Sequence, residues 1–296
     1  MVYFKNLDSG IAYMLLAALI SALNGALAKI LSEDMSALEI VFFRNLIGVF
    51  LILYALKHTP PKLKGGKIHL LFTRGLFGFT AMILFFYTIT TIPLGEAITL
   101  NKTSPLFVAI LAYYLLGEHL SKRTAFALAV GFIGIVFITK PFGMDVSYEH
   151  IMGILGGFFA AAAYTTIKKI KDIYDSRIIV LSFVSIGTLL PALLFGIASV
   201  TDTPESLSFL FPEFILPIGI TLWLLIGFMA IISTLSQWLL TKAYSASKLS
   251  IVGVISYANI PFAIGFGVLL GDDFPNVLTF FGILLIIIGG FLVTKK

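Results

Sequence analysis

Apolar runs of about 18 or more residues follow one another almost from end to end of this 296-residue chain. Each is long enough to cross a hydrocarbon core of about 30 Å as a helix. In lipid every backbone N–H and C=O has to find its partner inside the protein, and a helix satisfies both within one segment. The expected fold class is therefore an all-α integral membrane protein. Composition agrees: 12% of residues are charged, against about 25% in an ordinary soluble domain, and no polar stretch between the runs has room for a soluble domain.

Hydropathy and turn residues predict ten spans, at 10–31, 37–57, 68–92, 94–116, 123–140, 151–170, 177–200, 214–242, 248–270 and 275–294. The third and fourth are separated by little more than IPLG at 92–95, where Pro93 and Gly95 make a tight turn. The N-terminal MVYFKNLDSG leads into its run with no small-residue cleavage site, so the first span is read as retained.

Basic residues collect on the cytoplasmic side of a membrane. With the N-terminus inside, fifteen of the twenty fall in inside loops: Lys5, Lys57, Lys62, Lys64, Lys67, Lys122, Arg123, Lys168, Lys169, Lys171, Arg177, Lys242, Lys248, Lys295 and Lys296. Outside loops hold Lys29 and Lys140 and gather acidic residues, among them Glu33, Asp34, Asp202, Glu205, Asp272 and Asp273. Both termini are thus expected in the cytoplasm, at the cytoplasmic (inner) membrane of a cell. The net charge of +5 reflects topology, and no solvated basic face exists for nucleic acid. Three basic residues, Arg44, Arg74 and Lys102, remain inside spans.

Laid on itself at an offset of about 155, the chain matches TSPLFVAILAYYLLGEHLSKRTAFALAVGFIGIVFITK (103–140) to NIPFAIGFGVLLGDDFPNVLTFFGILLIIIGGFLVTK (259–295), aligning Pro105 with Pro261, Gly117 with Gly271 and Gly134 with Gly289. Upstream, GIAYMLLAALISALNGALAKI (10–30) resembles GILGGFFAAAAYTTIKKI (153–170). Each half, 1–145 and 146–296, then holds five spans, and an odd number inverts the second half relative to the first. The loops agree, with Lys122 and Arg123 after Gly117-Glu118 but Asp272 and Asp273 after Gly271. Two inverted five-helix repeats are a mark of secondary transporters.

The stretch RGLFGFTAMILFFYTITTIPLGEAITLNKTSPLFVAILAYYLLGEHLS (74–121) resembles the third-to-fifth-helix segment of EamA-type carriers of the drug/metabolite transporter superfamily. Its marks are Arg74-Gly75, Tyr87, the small-residue turn before Ala97, Pro105 and Gly117-Glu118, echoed more weakly in AYSASKLSIVGVISYANIPF (243–262). The resemblance implies a ten-helix inverted-repeat carrier, its cavity lined mainly by spans three, four, eight and nine. It also implies cargo among small polar metabolites, amino acids, S-adenosylmethionine or drug-like compounds. One departure is the Gly271-Asp272 that stands where the first half has Gly117-Glu118.

A charge deep in a bilayer costs about 2.5–3.5 kcal/mol on insertion scales and so faces water or a partner. At 100° per residue Glu96, Thr99 and Thr103 share one face of span four, with Lys102 at its margin and Asn101 elsewhere. Glu96 has two readings, a helix-start carboxylate after Pro93 or a pathway group; Lys102 either lines the cavity, facing substrate or Glu96, or snorkels. Arg44 on span two is a further cavity candidate, whereas Arg74 is read as an anchor to lipid phosphate or a cap on the cytoplasmic mouth. Tyr87, Gln237, Trp238, Tyr257 and Asn259 complete the candidate lining, with Ser250, Gly253 and Tyr257 as one stripe. Pro105 and Pro261 are expected to kink their helices and free the carbonyls of Asn101 and Tyr257. Glu39 and Glu96 are the candidates for proton coupling.

With no Cys, thiolate metal sites and cysteine nucleophiles are excluded; the four His residues fall in loops or at span ends, without HExxH or GxSxG. No enzyme, metal or cofactor is expected. The partners are a small-molecule substrate and membrane lipid, a monomer is compatible with the sequence, and a lipid-linked-sugar flippase or channel-like permease is the alternative to a carrier.

Overall fold

The computed structural model describes residues 9–61, 65–92, 94–139, 147–201, 210–271 and 274–294. Among them are twelve helices and no strand: α1 (Ser9–Leu31), α2 (Ala37–His58), α3 (Ile68–Thr91), α4 (Leu94–Asn101), α5 (Ser104–Leu116), α6 (Lys122–Thr139), α7 (Tyr148–Ile170), α8 (Ser176–Ala198), α9 (Ile220–Ala246), α10 (Leu249–Ser256), α11 (Asn259–Leu269) and α12 (Val277–Thr294). Seven segments are long and apolar enough to cross a membrane: α1, α2, residues 68–88 of α3, α7, α8, α9 and the α10–α11 pair, at 21 to 27 residues each. Large apolar side chains point outward all round, including Phe50, Tyr54, Leu189, Leu224 and Phe281. Contiguous surface of this kind suits lipid and not water.

Local chemistry sets the helix ends. Ser36 and Glu39 form a reciprocal capping box at the start of α2, Asp175 caps α8 through the Arg177 N–H, and Gly117 ends α5 in the left-handed region at φ 66°. Span eight begins at Ile220 and not at 214, because Pro212, Pro217 and a Gly219 at φ 101° keep residues 212–218 out of helix. That extended segment is tied down instead, the Ile215 N–H donating to Glu39 Oε1 at 2.7 Å and Trp223 Nε1–H to the Pro217 carbonyl at 3.1 Å.

Spans four and nine are broken outright where kinks were expected. α4 stops at Asn101 and α5 starts at Ser104; α10 stops at Ser256 and α11 starts at Asn259. Short i to i−3 hydrogen bonds bridge each gap, Thr103 N–H to the Leu100 carbonyl on one side and Tyr257 N–H to the Val254 carbonyl on the other. Pro105 and Pro261 therefore sit in the first turn of a new helix, where the missing N–H has no intrahelical acceptor to lose.

Packing is reciprocal between the first six helices and the last six. α3 lies against α7 and α9 against α1; α2 packs on α9 and α8 on α3; α5 meets α7 and α11 meets α1. α6 and α12 cross at Gly134 and Gly282, where a Cβ on either glycine would fall 2.6 or 2.5 Å from the other's carbonyl oxygen. Close approach at small residues is how helices associate when lipid supplies no hydrophobic drive. The largest buried cluster joins residues of α1, α5, α7, α8, α9 and α10, among them Met14, Val108, Ile167 and Tyr244.

Candidate functional site

A cavity of about 180 Å³ opens between the two sets of helices. α3 supplies Arg74, Gly78, Ala81, Met82 and Phe85; α2 supplies Arg44 and α4 its last residue, Asn101. From the other side come Ala160, Ala163 and Tyr164 of α7, Phe183 of α8 and Gln237 of α9. Small residues on α3 and α7 make the space, and Tyr164 is fixed by stacking on Tyr244 at 4.6 Å with 14° between the rings.

The two arginines dominate the electrostatics. Arg74 is 1% exposed, its guanidinium 4.9 Å from the centre of the Phe183 ring. Arg44 is half-buried, and its Nη2 donates to the Met82 sulfur at 3.1 Å, a weak acceptor. The Nε of each is enclosed and lacks an acceptor. Neither forms an ion pair among the described residues, in contrast to Lys168 with Glu118 and Arg177 with Asp175.

The same scaffold recurs in known proteins. The model of the EamA-like transporter family matches residues 8–140. The "Pseudopaline exporter CntI" of Pseudomonas aeruginosa is 30% identical over 283 residues, 95% of this chain and 94% of that protein. The chain belongs to the EamA-like transporter family. An "Uncharacterized transporter" of Helicobacter pylori is 33% identical across 96% of this chain and 94% of its own. The "S-adenosylmethionine uptake transporter" of Rickettsia felis is 29% identical over 62% of this chain and 63% of its own. A solved crystal structure at 18% identity superposes with a TM-score of 0.77 over 98% of this chain and 97% of that one, which supports the fold. This EamA chain is thus a multi-pass membrane transporter of the drug/metabolite superfamily and not an enzyme.

The transporter structure gathers some of the expected residues and disperses others. Arg44, Asn101 and Gln237 line the cavity together. Lys102 occupies the break between α4 and α5, and its Nζ donates to Asn259 Oδ1 at 3.3 Å, at the start of α11. Asn259 Nδ2 in turn donates to the Ala18 carbonyl on α1 at 3.0 Å, so the two breaks meet each other. The side chains of Glu96 and Thr99 lie outside the described residues.

The other candidates lie outside the cavity lining. Thr103 turns away, its hydroxyl donating to the Leu100 carbonyl at 2.6 Å against Gly157. Tyr257 is 0% exposed and packs on Gly131 of α6; Gly253 faces Pro105, so the Ser250–Gly253–Tyr257 stripe forms an interhelical seam. Trp238 lies beneath Lys242, whose Nζ is 5.5 Å from its ring. Tyr87 is half-buried on α3 outside the cavity lining. Glu39 is 3% exposed, and its oxygens accept from the Ser36 N–H and hydroxyl and from the Ile215 N–H.

Arg74 lines the cavity although sequence reasoning did not place it among the lining candidates. It is buried in the cavity lining, where Gly78, one turn on, leaves room for the guanidinium to fold inward over Phe183. The Arg74-Gly75-xx-Gly78 pattern held that signal.

Proposed function

We propose that the chain is an alternating-access secondary carrier of small polar metabolites, amino acids or related compounds among them, in the cytoplasmic membrane with both termini inside. Its ten spans, counting α4–α5 and α10–α11 as one each, form two inverted five-helix repeats, 1–145 and 146–296. The observation that carries this reading is the cavity itself, walled by α2, α3 and α4 from one repeat and by α7, α8 and α9 from the other. A site at the seam of two reciprocally packed halves is exposed to alternate sides when the halves exchange conformations.

On the basic-loop side Glu118 ties the two halves across that seam. Glu118 Oε2 accepts from the Leu249 N–H at 2.9 Å, with Lys168 Nζ 3.8 Å from Oε1. Within the second half Lys168 also donates to the Ser247 carbonyl and Lys171 to that of Ser245 at 3.1 Å, which braces the same end. These ties suit a carrier closed toward the cytoplasm. If transport is coupled to protons, we assign the coupling to Glu96, because the oxygens of Glu39 are engaged by the α2 cap and the Ile215 N–H; facilitated or exchange transport needs neither.

Two relatives are named for the solutes they carry, pseudopaline and S-adenosylmethionine, which supports a small-molecule substrate. Counterflow in proteoliposomes tests the reading: saturable exchange of a labelled metabolite against its unlabelled form is expected. Linear, non-exchanging flux would indicate a channel, and lipid scrambling without counterflow a flippase.

A further inference from the structure

We propose that the cavity grips its solute by an oxyanion, a carboxylate or phosphate group held between Arg44 and Arg74, with the remainder against an apolar wall. The inference rests on the carrier reading of the same cavity. Arg74 is 1% exposed and finds no hydrogen-bond acceptor among the described residues; Arg44 finds one thioether there, and the Nε of each is enclosed without a partner among them. A guanidinium carries five donors and keeps its charge at any ordinary pH. Buried without a counter-ion, such a group is strongly disfavoured, and two in one cavity more so.

No carboxylate lines the cavity among the described residues. In this proposal the compensating charge is brought by what enters. Snorkelling does not account for Arg74, whose guanidinium lies over Phe183 and beside Gly78 inside the helix bundle. Arginine is also the cation whose planar fork matches a carboxylate or phosphate with two parallel hydrogen bonds.

The rest of the cavity completes the specification. Phe85, Phe183, Tyr164 and Met82 present flat or soft apolar surface, while Asn101 and Gln237 offer neutral donors and acceptors to a hydroxyl, amide or amine. The volume of about 180 Å³ lies below the usual drug-sized range of about 300–1,000 Å³. The fit is to a water-soluble organic anion of the size of an amino or aromatic acid. A cation that lacks an anionic group is repelled.

The test is thermal unfolding of the purified full chain against paired probes at matched ionic strength. The panel holds acidic and aromatic amino acids, benzoate, phenyl phosphate and C4–C6 dicarboxylates, each beside its amide, ester or amine counterpart. At least one anion is expected to raise the midpoint by about 5 °C at saturation while its uncharged counterpart does not. Affinity for that anion is expected to fall by about 30-fold or more in Arg44→Met and Arg74→Met. Arg74→Lys, which keeps the charge and loses the fork, serves if a Met variant does not fold, and it too is expected to bind more weakly.

Equal stabilisation by amides or amines, no stabilisation by any anion, or undiminished anion affinity in the variants would overturn the proposal. Loss of anion binding when phosphatidylglycerol replaces phosphatidylcholine in nanodiscs would give the arginines to a lipid headgroup and overturn the solute assignment. Counterflow separates the two readings. Exchange of a neutral solute, unimpaired in both Met variants, would sink the oxyanion inference and leave the carrier standing; anion binding without any exchange would do the reverse.

Discussion

Gly75 and Gly78 lie on one face of α3, three residues apart, yet an alanine at each is expected to fail in a different way. A Cβ on Gly75 would fall 2.6 Å from the Ser182 carbonyl oxygen and 2.6 Å from Ile186 Cδ1. Ordinary contact starts at 3.4 Å, so the α3 and α8 backbones would have to part by about 0.8 Å, the difference between the two distances. Overpacking of this kind costs about 1–3 kcal/mol, and the better helix propensity of alanine offsets up to about 1. A loss of about 1–2 kcal/mol remains, or a fall of about 3–6 °C in unfolding midpoint.

At Gly78 the obstacles are Arg74 Nη1 at 2.5 Å and Phe183 Cδ2 at 2.7 Å, the first being the free end of a flexible side chain. Arg74 can move, so Gly78→Ala is expected to shift the midpoint by less than about 2 °C while evicting the guanidinium from its seat over Phe183. Anion affinity then falls by about 5- to 30-fold, the equivalent of roughly 1–2 kcal/mol. Thermal unfolding in detergent and titration with the anion that stabilises the parent protein read the two effects separately. Equal falls in midpoint for both variants, or parental anion affinity in Gly78→Ala, would refute the idea that one glycine spaces the helices and the other seats Arg74.

Lys102→Met is expected to fold normally and to lose at least about tenfold in transport, since it cuts the link between the two helix breaks; full flux would leave Lys102 a spectator. Glu39→Ala should lower stability by about 1–2 kcal/mol through loss of the α2 cap, while uptake in Glu39→Gln keeps its response to an imposed pH gradient and uptake in Glu96→Gln loses it. Arg177 hydrogen-bonds the Asp175 carboxylate and holds its pKa below the ordinary value. The folded value is thus lower than the unfolded one, so the stabilisation is present above the unfolded pKa of about 3.9 and is lost as pH falls through the folded pKa. Asp175→Asn should flatten the acid side of the unfolding profile, and an unchanged profile would dismiss the pair. An impermeant thiol reagent applied to intact cells should label Glu33→Cys and spare Lys248→Cys; the opposite result would invert the topology.

Membrane class, family and the approximate course of the helices were legible in the residues alone. Length and hydropathy are local properties, and in lipid a long apolar segment has few alternatives to a helix. Even the breaks in spans four and nine left a trace in the aligned prolines, but whether a proline bends a helix or opens a new one depends on what the exposed ends find. Here Lys102 and Asn259 meet across the seam and the Leu100 carbonyl takes the Thr103 hydroxyl. Residues 214–218 read as the start of a helix but lie in an extended strap, which the prolines keep out of helix and Glu39, far away in sequence, ties down by accepting from Ile215.

Which polar side chains share a cavity was decided only by tertiary packing. A helical wheel places residues on one face of their own helix and is silent about the neighbour that covers it: Thr103 is covered by Gly157, Tyr257 by Gly131, and Glu39 is consumed by a cap. Arg74 is the clearest case. From sequence its depth suits a snorkelling anchor, and its inward course depends on Gly78 and on a ring from α8, more than 100 residues away. Composition limits how many charges the spans contain, but packing determines which of them share a cavity, and in this chain those are Arg44 and Arg74, each with an Nε that finds no partner among the described residues.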